Sequence, residues 1–485
     1  MLLTLAFRHL LVHKGRSLFL LLGYGLGVGV MIVLLSVGEA MLTQSADVAL
    51  VGGGEITVLP QGIDIEAMRT GGVSGMFFGI ERARFLTRQL LGGPRHSAQV
   101  RAVSPVIENK LVYLSLRGRS VAVRAGGEIP SRLAAVGAAR SVVSGAWVDT
   151  PADSAWITPT SQQLYDELDR FHLPASDDSS WGEWHYFNVA AGPSEWWYIT
   201  YLVGGEVLHG KWGGQLLISH RTPDGRYERY REVVPSDLIV LDTTRADLTL
   251  GRSQVIQRDG RYILTAEARG NTGSLRLSLT VQPERYRFFP PINLREGAYP
   301  SGYVVPALSG TATGQICLGR RCTALIDAPA YHDHNWGVWR NVSWDWGAAR
   351  GRHYNLLYGA VYAPEDTIGD AASGAPRLLV ALVDSLGVRQ ILRAAAVTYE
   401  GERLPSQGGG PGAPARFHFV AARDADTVRI ETEIVDFQAT DGPAAGGTRR
   451  FLQMRGTFRL SGQVAGQPVE DAGEGFFETY VGTRP

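Results

Sequence analysis

Strict alternation of apolar and polar residues is the feature that most constrains the fold of this chain. The segments "SLRLSLTV" (274–281) and "TVRIETEIV" (427–435) each place their aliphatic residues on one face of an extended backbone. Turn signals separate such segments, with "PDG" at 223–225 and "RDG" at 258–260. Because roughly 300 residues of such strands exceed one small barrel, the pattern predicts two β-barrel or β-sandwich domains.

Composition excludes one class of partner and indicates a domain boundary. The 485 residues carry a net charge of +0 and only 19% charged side chains, so we predict no nucleic-acid partner. The 59 glycines and 45% hydrophobic residues are typical of an ordered, turn-rich β protein. All 11 tryptophans lie at or beyond Trp147, which indicates a boundary near residue 146.

The N-terminus is predicted to enter a membrane. Residues 17–38, "SLFLLLGYGLGVGVMIVLLSVG", contain no charge and are long enough to span a bilayer at ~1.5 Å per residue. Basic residues precede this run and acidic residues follow it (Arg8, Lys14 and Arg16; Glu39, Asp47 and Glu55). The positive-inside rule then predicts a single-pass protein of the inner membrane with most of its chain in the periplasm. The alternative is a signal peptide cleaved after "GEA".

The two cysteines of the chain are Cys317 and Cys322, in "ICLGRRC". Four intervening residues fit a hairpin loop whose ends are bridged, and an exported chain meets an oxidising compartment. We therefore predict a disulfide, with two free thiols as the alternative. Two cysteines are too few for a structural zinc site, which takes four ligands.

The tetrapeptide "EWWY" places a carboxylate beside an indole. On a strand, Glu195 and Trp197 share one face, and Trp196 and Tyr198 share the other. A buried carboxyl at this position must be paired or protonated. Glu195 is therefore a candidate catalytic residue, and the alternative is a tryptophan-rich core in which the acid completes a polar network.

The segment "YHDHNWG" (331–337) carries the densest cluster of polar side chains. On a strand, His332 and His334 share one face, whereas Asp333 and Asn335 share the other. In the first interpretation Asp333 faces an apolar pocket, where a raised pKa makes it a proton donor at neutral pH, and the histidines hold the strand.

Two other interpretations of "YHDHNWG" stay open. The His332 and His334 pair can hold a metal ion if Glu195 or His353 supplies a third ligand. Alternatively, the segment is a hydrogen-bonded polar knot at a domain junction. We predict neither a metal nor another cofactor.

The order "EWWY", "YHDHNWG" and "GFFETYVG" (475–482) resembles the hydroxyneurosporene synthase family, which includes carotenoid 1,2-hydratase and the AttH proteins. The similarity covers about residues 160–485. It implies a mainly β fold with two lipocalin-like domains, at 147–328 and 329–485, and an apolar pocket for an isoprenoid, polyene or lipid-like ligand. It also implies a hydratase, isomerase or cyclase activity on a C=C bond.

The same resemblance assigns roles to residues. Asp333 falls on the aspartate that is thought to protonate a terminal isoprenoid C=C before water captures the cation. His332, His334 and Glu195 complete the predicted catalytic set. The predicted ligand-binding set is polar and aromatic: Trp196, Trp197, Tyr198, Asn335, Trp336, Trp344, Trp346, Glu478 and Tyr480.

The N-terminal part has a second resemblance. Residues 1–42, a basic lead and a transmembrane helix, are similar to the first span of MacB/FtsX-type ABC transporter permeases. Residues 43–146 resemble the beginning of that family's extracytoplasmic domain and predict a small α+β segment. Further spans and a nucleotide-binding motif are absent from the sequence, so a partner is expected among ABC transporter components. The rival function is therefore a non-catalytic, lipid-binding accessory protein of an ABC exporter.

Overall fold

The structure is a computed structural model, and it divides the chain into two compact units. One comprises Met1–Gly92 and His96–Thr158, and the other comprises Gly93–Arg95 and Pro159–Pro485. The structure describes residues 14–49, 56, 58, 80–116, 119–136, 169–172, 174, 179–294, 301–339, 342–362, 378–404, 412–444 and 447–482.

Among its described residues, the first unit contains three helices and one hairpin. They are α1 (Lys14–Ala49), α2 (Ile80–Gly92), β1 (Val106–Leu116), β2 (Arg119–Glu128) and α3 (Pro130–Ala135). The β1 and β2 strands pair antiparallel. The part of α1 at Lys14–Val37 is 24 residues long with a mean hydropathy of 2.5, which suffices by length and composition for a membrane span. A signal sequence has the same length and composition, so these two properties fit a signal as well as an anchor.

The first barrel belongs to the second unit and is built from the strands between residues 181 and 338. Their bounds are β3 (Trp181–Gly192), β4 (Glu195–Glu206), β5 (Lys211–Arg221), β6 (Tyr227–Pro235), β7 (Ile239–Leu241), β8 (Leu248–Leu250), β9 (Ser253–Arg258), β10 (Arg261–Gly270), β11 (Gly273–Pro283), β12 (Phe289–Leu294), β13 (Ser301–Leu318) and β14 (Arg321–Val338). A short 3-10 helix, Ser236–Leu238, precedes β7. Eight strands close in the order β3-β4-β5-β6-β10-β11-β13-β14, since β14 pairs back with β3.

The second barrel follows in the same way. Its strands are β15 (Ser343–Gly351), β16 (Asn355–Tyr362), β17 (Leu378–Asp384), β18 (Gly387–Ala394), β19 (Thr398–Glu400), β20 (Arg416–Arg423), β21 (Asp426–Ala444), β22 (Gly447–Val464) and β23 (Gln467–Gly482). The closed ring of eight runs β15-β16-β17-β18-β20-β21-β22-β23, and β23 pairs with β15. Both rings are antiparallel and follow chain order, as in up-and-down barrels.

The described residues of the second unit form three hydrophobic clusters. One fills the first barrel around Phe187, Tyr201 and Tyr262, and another fills the second barrel around Tyr358 and Phe477. The third cluster draws on both barrels. It contains Tyr186, Trp196, Tyr198, Phe289, Tyr303, Val305, Leu308 and Tyr331 from the first barrel, and Trp346, Ala348, Leu357, Leu379, Ala381, Val383 and Phe476 from the second. The two barrels therefore pack through an apolar interface of their own.

These observations confirm the predicted fold class: mainly β, with two lipocalin-like barrels after an N-terminal helix and a small α+β segment. The predicted turn "RDG" joins β9 to β10, with positive φ at Asp259 (51°) and Gly260 (73°), the conformation that matches strand twist in a two-residue hairpin. Cys317 and Cys322 are joined by a disulfide at the β13–β14 turn. The strand β14 runs across residue 328, and the domain bounds proposed from the sequence stay predictions.

Candidate functional site

The strand β14 presents two different polar clusters on its two faces. It pairs with β3 so that His334 lies opposite His185 and Asp333 lies opposite Tyr186. His334 belongs to a cluster inside the first barrel, whereas Asp333 lies among the residues between the barrels. Exposure is 0% for His334 and 2% for Asp333, so both faces are sealed from solvent. Alternation along one strand thus separates the aspartate from the histidines.

The Asp333 carboxyl is held by two side chains of its own strand. Tyr331 donates its hydroxyl to Oδ2 over 2.7 Å, and Asn335 donates Nδ2 to Oδ1 over 2.6 Å. Trp346 of the second barrel donates Nε1 to the Tyr331 hydroxyl over 3.2 Å. The acid is therefore positioned by neutral donors, and residues from both barrels contribute to its support.

Burial makes Asp333 a weak acid. Desolvation raises the pKa of Asp333 to about 8, and the nearby Glu478 adds to the rise. The hydrogen bonds from Tyr331 and Asn335 stabilise the ionised form and only partly offset this rise. At neutral pH Asp333 is consequently protonated and can act as a proton donor.

Glu478 is a second buried carboxyl on the same side. Gln453 donates Nε2 to its Oε1 over 3.0 Å, and Trp344 donates Nε1 to its Oε2 over 3.3 Å. Burial raises the pKa of Glu478 as well. The Gln453 amide also donates to the Tyr186 hydroxyl over 3.3 Å, which links Glu478 to the first barrel. Two carboxyls in one low-dielectric region can exchange roles as acid and base.

Aromatic rings pack around Tyr331, the tyrosine that donates to Asp333. Phe476 contacts the Tyr331 ring at a centroid distance of 4.6 Å and the Tyr186 ring at 5.9 Å. Tyr303 meets Trp346 edge to face at 4.7 Å. Aromatic faces carry negative potential and attract cations, so this lining suits a site where positive charge develops.

Two guanidinium groups lie close to the ring of Trp196. Arg221 of the first barrel lies 4.7 Å from its ring centroid, and Arg455 of the second lies 5.0 Å from it. Arg221 also pairs with Asp436 over 2.6 Å, and Arg455 donates to Asn188 over 3.2 Å. These contacts clamp the two barrels together beside the Asp333 region.

The other face of β14 carries a histidine network inside the first barrel. Asp169 contacts His334 Nδ1 through Oδ1, and its Oδ2 accepts a hydrogen bond from Tyr262 over 2.6 Å and lies 3.4 Å from His332 Nε2. Glu183 Oε1 lies 2.9 Å from His334 Nε2. His334 is thus placed between two buried carboxylates.

Charges in this network are mutually stabilised. Burial raises the pKa of Asp169, but His334, His332 and His185 together outweigh it and hold that pKa well below its usual value. Burial lowers the pKa of His334, yet Asp169 and Glu183 outweigh it and raise the pKa to about 9. Burial lowers the pKa of His185 and of His332, which favours their neutral forms.

The sequence suggested Glu195 as a third metal ligand for the His332 and His334 pair, but in the structure its partner is His220. It accepts from His220 Nε2 over 2.9 Å, and His220 stacks on Trp197 with ring centroids 3.6 Å apart. Trp197 is part of the core of the first barrel. His353 lies in the turn between β15 and β16, where its backbone N–H donates to Asp471.

The structure therefore divides the predicted site residues into two groups. The side between the barrels holds Asp333, Asn335, Trp196, Tyr198, Trp344, Trp346, Glu478 and Tyr480. The side of the first barrel's interior holds His332, His334, Trp336, Trp197 and Glu195. In the second group, Trp336 stacks on His172 with ring centroids 3.7 Å apart.

Sequence reasoning missed several residues of both clusters. Tyr331 is the first residue of "YHDHNWG". It is two residues from Asp333, and on a strand this spacing places both side chains on one face, so the contact could have been predicted. Asp169 gave no signal, because it lies 165 residues from His334 in the chain. Gln453 is likewise brought to Glu478 only by the pairing of β22 with β23.

The fold and site define a protein of two lipocalin-like barrels with a buried acid between them. No family model and no curated protein matches the chain. The solved structures that are similar to the chain include an AttH-type protein, kievitone hydratase and CghA. An AttH-type protein from Nitrosomonas europaea shows 15% identity and a TM-score of 0.44, covering 64% of this chain and 97% of its own. At these values the likeness supports no statement about activity.

The other two structures give similar figures. Kievitone hydratase from Nectria haematococca shows 12% identity and a TM-score of 0.41, covering 64% of this chain and 94% of its own. CghA shows 13% identity and a TM-score of 0.43, covering 64% and 93%. The resemblances to carotenoid hydratases and to ABC permeases find no match in these comparisons and stay predictions.

Proposed function

We propose that the chain binds a long hydrophobic ligand of the isoprenoid, polyene or lipid-like class between its barrels, and that Asp333 protonates a C=C bond of that ligand. The observation that carries the proposal is Asp333 itself. Its carboxyl is 2% exposed, hydrogen-bonded by neutral side chains, and protonated at neutral pH because its pKa is raised to about 8. A positioned neutral acid in an aromatic setting is what alkene protonation requires.

The proposed reaction begins with transfer of the Asp333 proton to one alkene carbon. The π electrons form the new C–H bond, and the more substituted carbon becomes a cation. In hydration, water then adds to the cation and loses a proton; in isomerisation or cyclisation, the cation loses a proton from a neighbouring carbon. Either route returns one proton to the protein, and Asp333 regains its neutral form.

The neighbours of Asp333 suit the two charges that form in this reaction, a carboxylate and a carbocation. Tyr331 and Asn335 donate to the carboxylate that remains after the proton has left. The rings of Tyr331, Trp346 and Phe476 offer faces to a cation, and such contacts contribute ~0.5–2 kcal/mol each. Glu478 in its ionised form is the candidate to accept the proton from the attacking water, and transfer of a proton from Glu478 to the Asp333 carboxylate then restores both groups.

A second candidate function is a non-catalytic, lipid-binding accessory protein of an ABC exporter. The observation that favours it is α1, whose apolar stretch Lys14–Val37 can hold the chain at a membrane. With the basic residues Lys14 and Arg16 at its start, we place the chain in the inner membrane with its bulk in the periplasm. Both candidates use the same hydrophobic ligand and differ only in whether Asp333 does chemistry.

The test is deuterium uptake from heavy water. The full chain is incubated in D₂O with a panel of acyclic isoprenoids and polyenes, and products are analysed by mass spectrometry. Protonation of a C=C by Asp333 predicts deuterium at one ligand carbon, and Asp333→Asn should slow this uptake by ~10²–10⁴-fold. Asp345→Asn is the matched control, since Asp345 is a buried carboxyl of β15 that is held inside the second barrel by Tyr362, Tyr399 and Thr479.

The outcomes separate the two candidates. Deuterium uptake in the wild type and in Asp345→Asn, but not in Asp333→Asn, supports the enzymatic function. If a ligand binds the wild type and Asp333→Asn equally and returns unlabelled from both, the accessory function takes its place. Equal labelling by the wild type and Asp333→Asn would show that another group is the acid.

A further inference from the structure

The interior of the first barrel gathers metal-binding side chains that the proposed chemistry does not use. Asp169, His185 and His334 each offer a ligand atom, and these atoms all lie within 4.8 Å of one another. His332 lies beside them, with Nε2 at 3.4 Å from Asp169 Oδ2 and at 3.4 Å from His185 Nδ1. All four residues are 0% exposed.

Two separations in this cluster equal those between ligand atoms of one coordination shell. Zinc binds histidine nitrogen at about 2.0–2.1 Å, so two ligand atoms at adjacent corners of a zinc tetrahedron stand about 3.3–3.4 Å apart. The two separations of His332 Nε2, from His185 Nδ1 and from Asp169 Oδ2, are both 3.4 Å. A carboxylate with imidazoles is a donor set that zinc and other first-row divalent ions accept.

Second contacts orient two of the rings. Nδ1 of His332 lies 3.1 Å from the carbonyl oxygen of Tyr186, which only accepts, so this nitrogen carries the proton and Nε2 presents a lone pair to the cluster. Nε2 of His334 lies 2.9 Å from Glu183 Oε1, and its Nδ1 contacts Asp169 Oδ1. Metal-ligating histidines typically give their outer nitrogen to a carboxylate or a backbone carbonyl in this way.

Charge balance points the same way. Asp169 and Glu183 are both fully buried carboxylates, and His334 lies between them. Glu183 is also held by His172, whose backbone N–H donates to both carboxylate oxygens. A divalent ion ligated by Asp169 and His334 would add positive charge beside these two buried carboxylates, which a low-dielectric interior favours.

We propose that Asp169, His185 and His334, with the adjacent His332 as fourth ligand, form a closed structural site for a zinc-type divalent ion inside the first barrel, with Glu183 as a positioning residue. Because every ligand is sealed from solvent, the site has the character of a structural centre and not of a catalytic one. It ties the segment of Asp169 to the strands β3 and β14. It lies on the opposite face of β14 from Asp333, so it goes beyond the proposed function and can fail independently of it.

The test measures the metal content and the visible absorption of the full chain, which is purified without a polyhistidine tag. After chelation and dialysis against Zn²⁺ or Co²⁺, the wild type should retain about one ion per chain. Bound Co²⁺ should show the visible absorption of a tetrahedral site, without thiolate charge-transfer bands, because Cys317 and Cys322 are disulfide-bonded. Zn²⁺ should also raise the Tm of the wild type, and chelator should lower it.

Variants assign the ion to this cluster. Asp169→Asn and His334→Gln should lose the bound ion and the Tm response to Zn²⁺. Glu183→Gln should keep the ion with affinity lowered by ~10–100-fold. The matched control is His220→Gln, another buried histidine of the first barrel whose partners are Trp197 and Glu195, and it should bind as the wild type does.

Two results would overturn the proposal. In one, the wild type retains almost no metal after dialysis and Co²⁺ gives no tetrahedral absorption. The cluster would then be a histidine between two carboxylates that binds no metal ion. In the other, Asp169→Asn and His334→Gln retain as much metal as the wild type, which moves the binding to other histidines. The wild-type measurement does not depend on whether any variant folds.

Discussion

Residues two apart on β14 lie on the same face of the strand and in the same polar cluster. Their immediate neighbours lie on the other face and in the other cluster. Alternation in "YHDHNWG" was enough to predict from the sequence that Asp333 faces away from His332 and His334. The partners of each face were not predictable in the same way. Asp169 lies 163 residues from His332, and His185 meets His334 only because β3 and β14 close the barrel. The spacing of residues along the strand therefore determines which face a side chain is on, whereas the closure of the barrel determines which partners it meets there.

The first prediction concerns stability against pH. Asp333 has a folded-state pKa of about 8 against an ordinary value of 3.8, so folding favours its protonated form. Its contribution is fully present below about pH 4 and is lost as pH rises to about 8. Asp333→Asn lacks this dependence. The free energy of unfolding of the wild type should thus fall relative to the variant by up to ~1.4 kcal/mol per pH unit in that window.

Urea unfolding of both proteins at a series of pH values checks this prediction. The sign of this change with pH is informative. A salt-bridged aspartate with a lowered pKa would make the wild type more stable relative to the variant as pH rises. Parallel curves for the two proteins across the window would mean that Asp333 ionises normally in the folded protein.

Strands and turns could be predicted from the sequence where one face is apolar and the other polar. The segments 274–281 and 427–435 lie within β11 and β21, and "RDG" forms its hairpin turn. Strands buried on both faces carry no such signal. In β17, Leu378, Val380 and Leu382 fill the second barrel, while Leu379 and Ala381 enter the cluster between the barrels. A continuous apolar run does not reveal which partners its two faces meet.

The second prediction concerns the clamp between β5 and β21. Arg221 and Asp436 pair over 2.6 Å with side-chain exposures of 13% and 5%, and Arg221 also lies over Trp196. Asp436→Asn leaves the guanidinium without its buried counter-charge. The free energy of unfolding, measured with urea, should fall by ~3–5 kcal/mol.

An exposed pair is the matched control for the clamp. Arg429 and Glu431 also lie at hydrogen-bonding distance, 2.8 Å, but their side chains are 52% and 54% exposed. Glu431→Gln should leave the free energy of unfolding nearly unchanged, because solvent screens such pairs. Equal losses in Asp436→Asn and Glu431→Gln would contradict the view that burial makes the interbarrel pair important.

At the scale of the whole molecule, the sequence predicted two β-barrel domains after an apolar N-terminal helix, and the structure confirms that fold class. It did not predict that the interface between the barrels would be a core in its own right, with aromatic residues from both. That interface depends on which outer faces meet after each ring closes, and no local pattern encodes this.

The third prediction concerns the orientation of the chain. Lys14 and Arg16 begin α1, so the positive-inside rule places the N-terminus in the cytoplasm and the barrels outside it. A reporter fused after Pro485 should be active if it requires the periplasm and inactive if it requires the cytoplasm. Fractionation distinguishes an anchor from a cleaved signal, since only the anchored chain stays with the membrane. Activity of a cytoplasmic reporter would exclude export.

The central claim is that Asp333 is held between the barrels as a neutral acid. The most direct measurement is the infrared carbonyl band of protonated carboxyl groups, taken as the difference between the wild type and Asp333→Asn across pH. The structure predicts a band of one protonated carboxyl at neutral pH that is absent from Asp333→Asn and disappears with a midpoint at about pH 8. A wild type without this band at neutral pH, with a midpoint near 4, would contradict the claim.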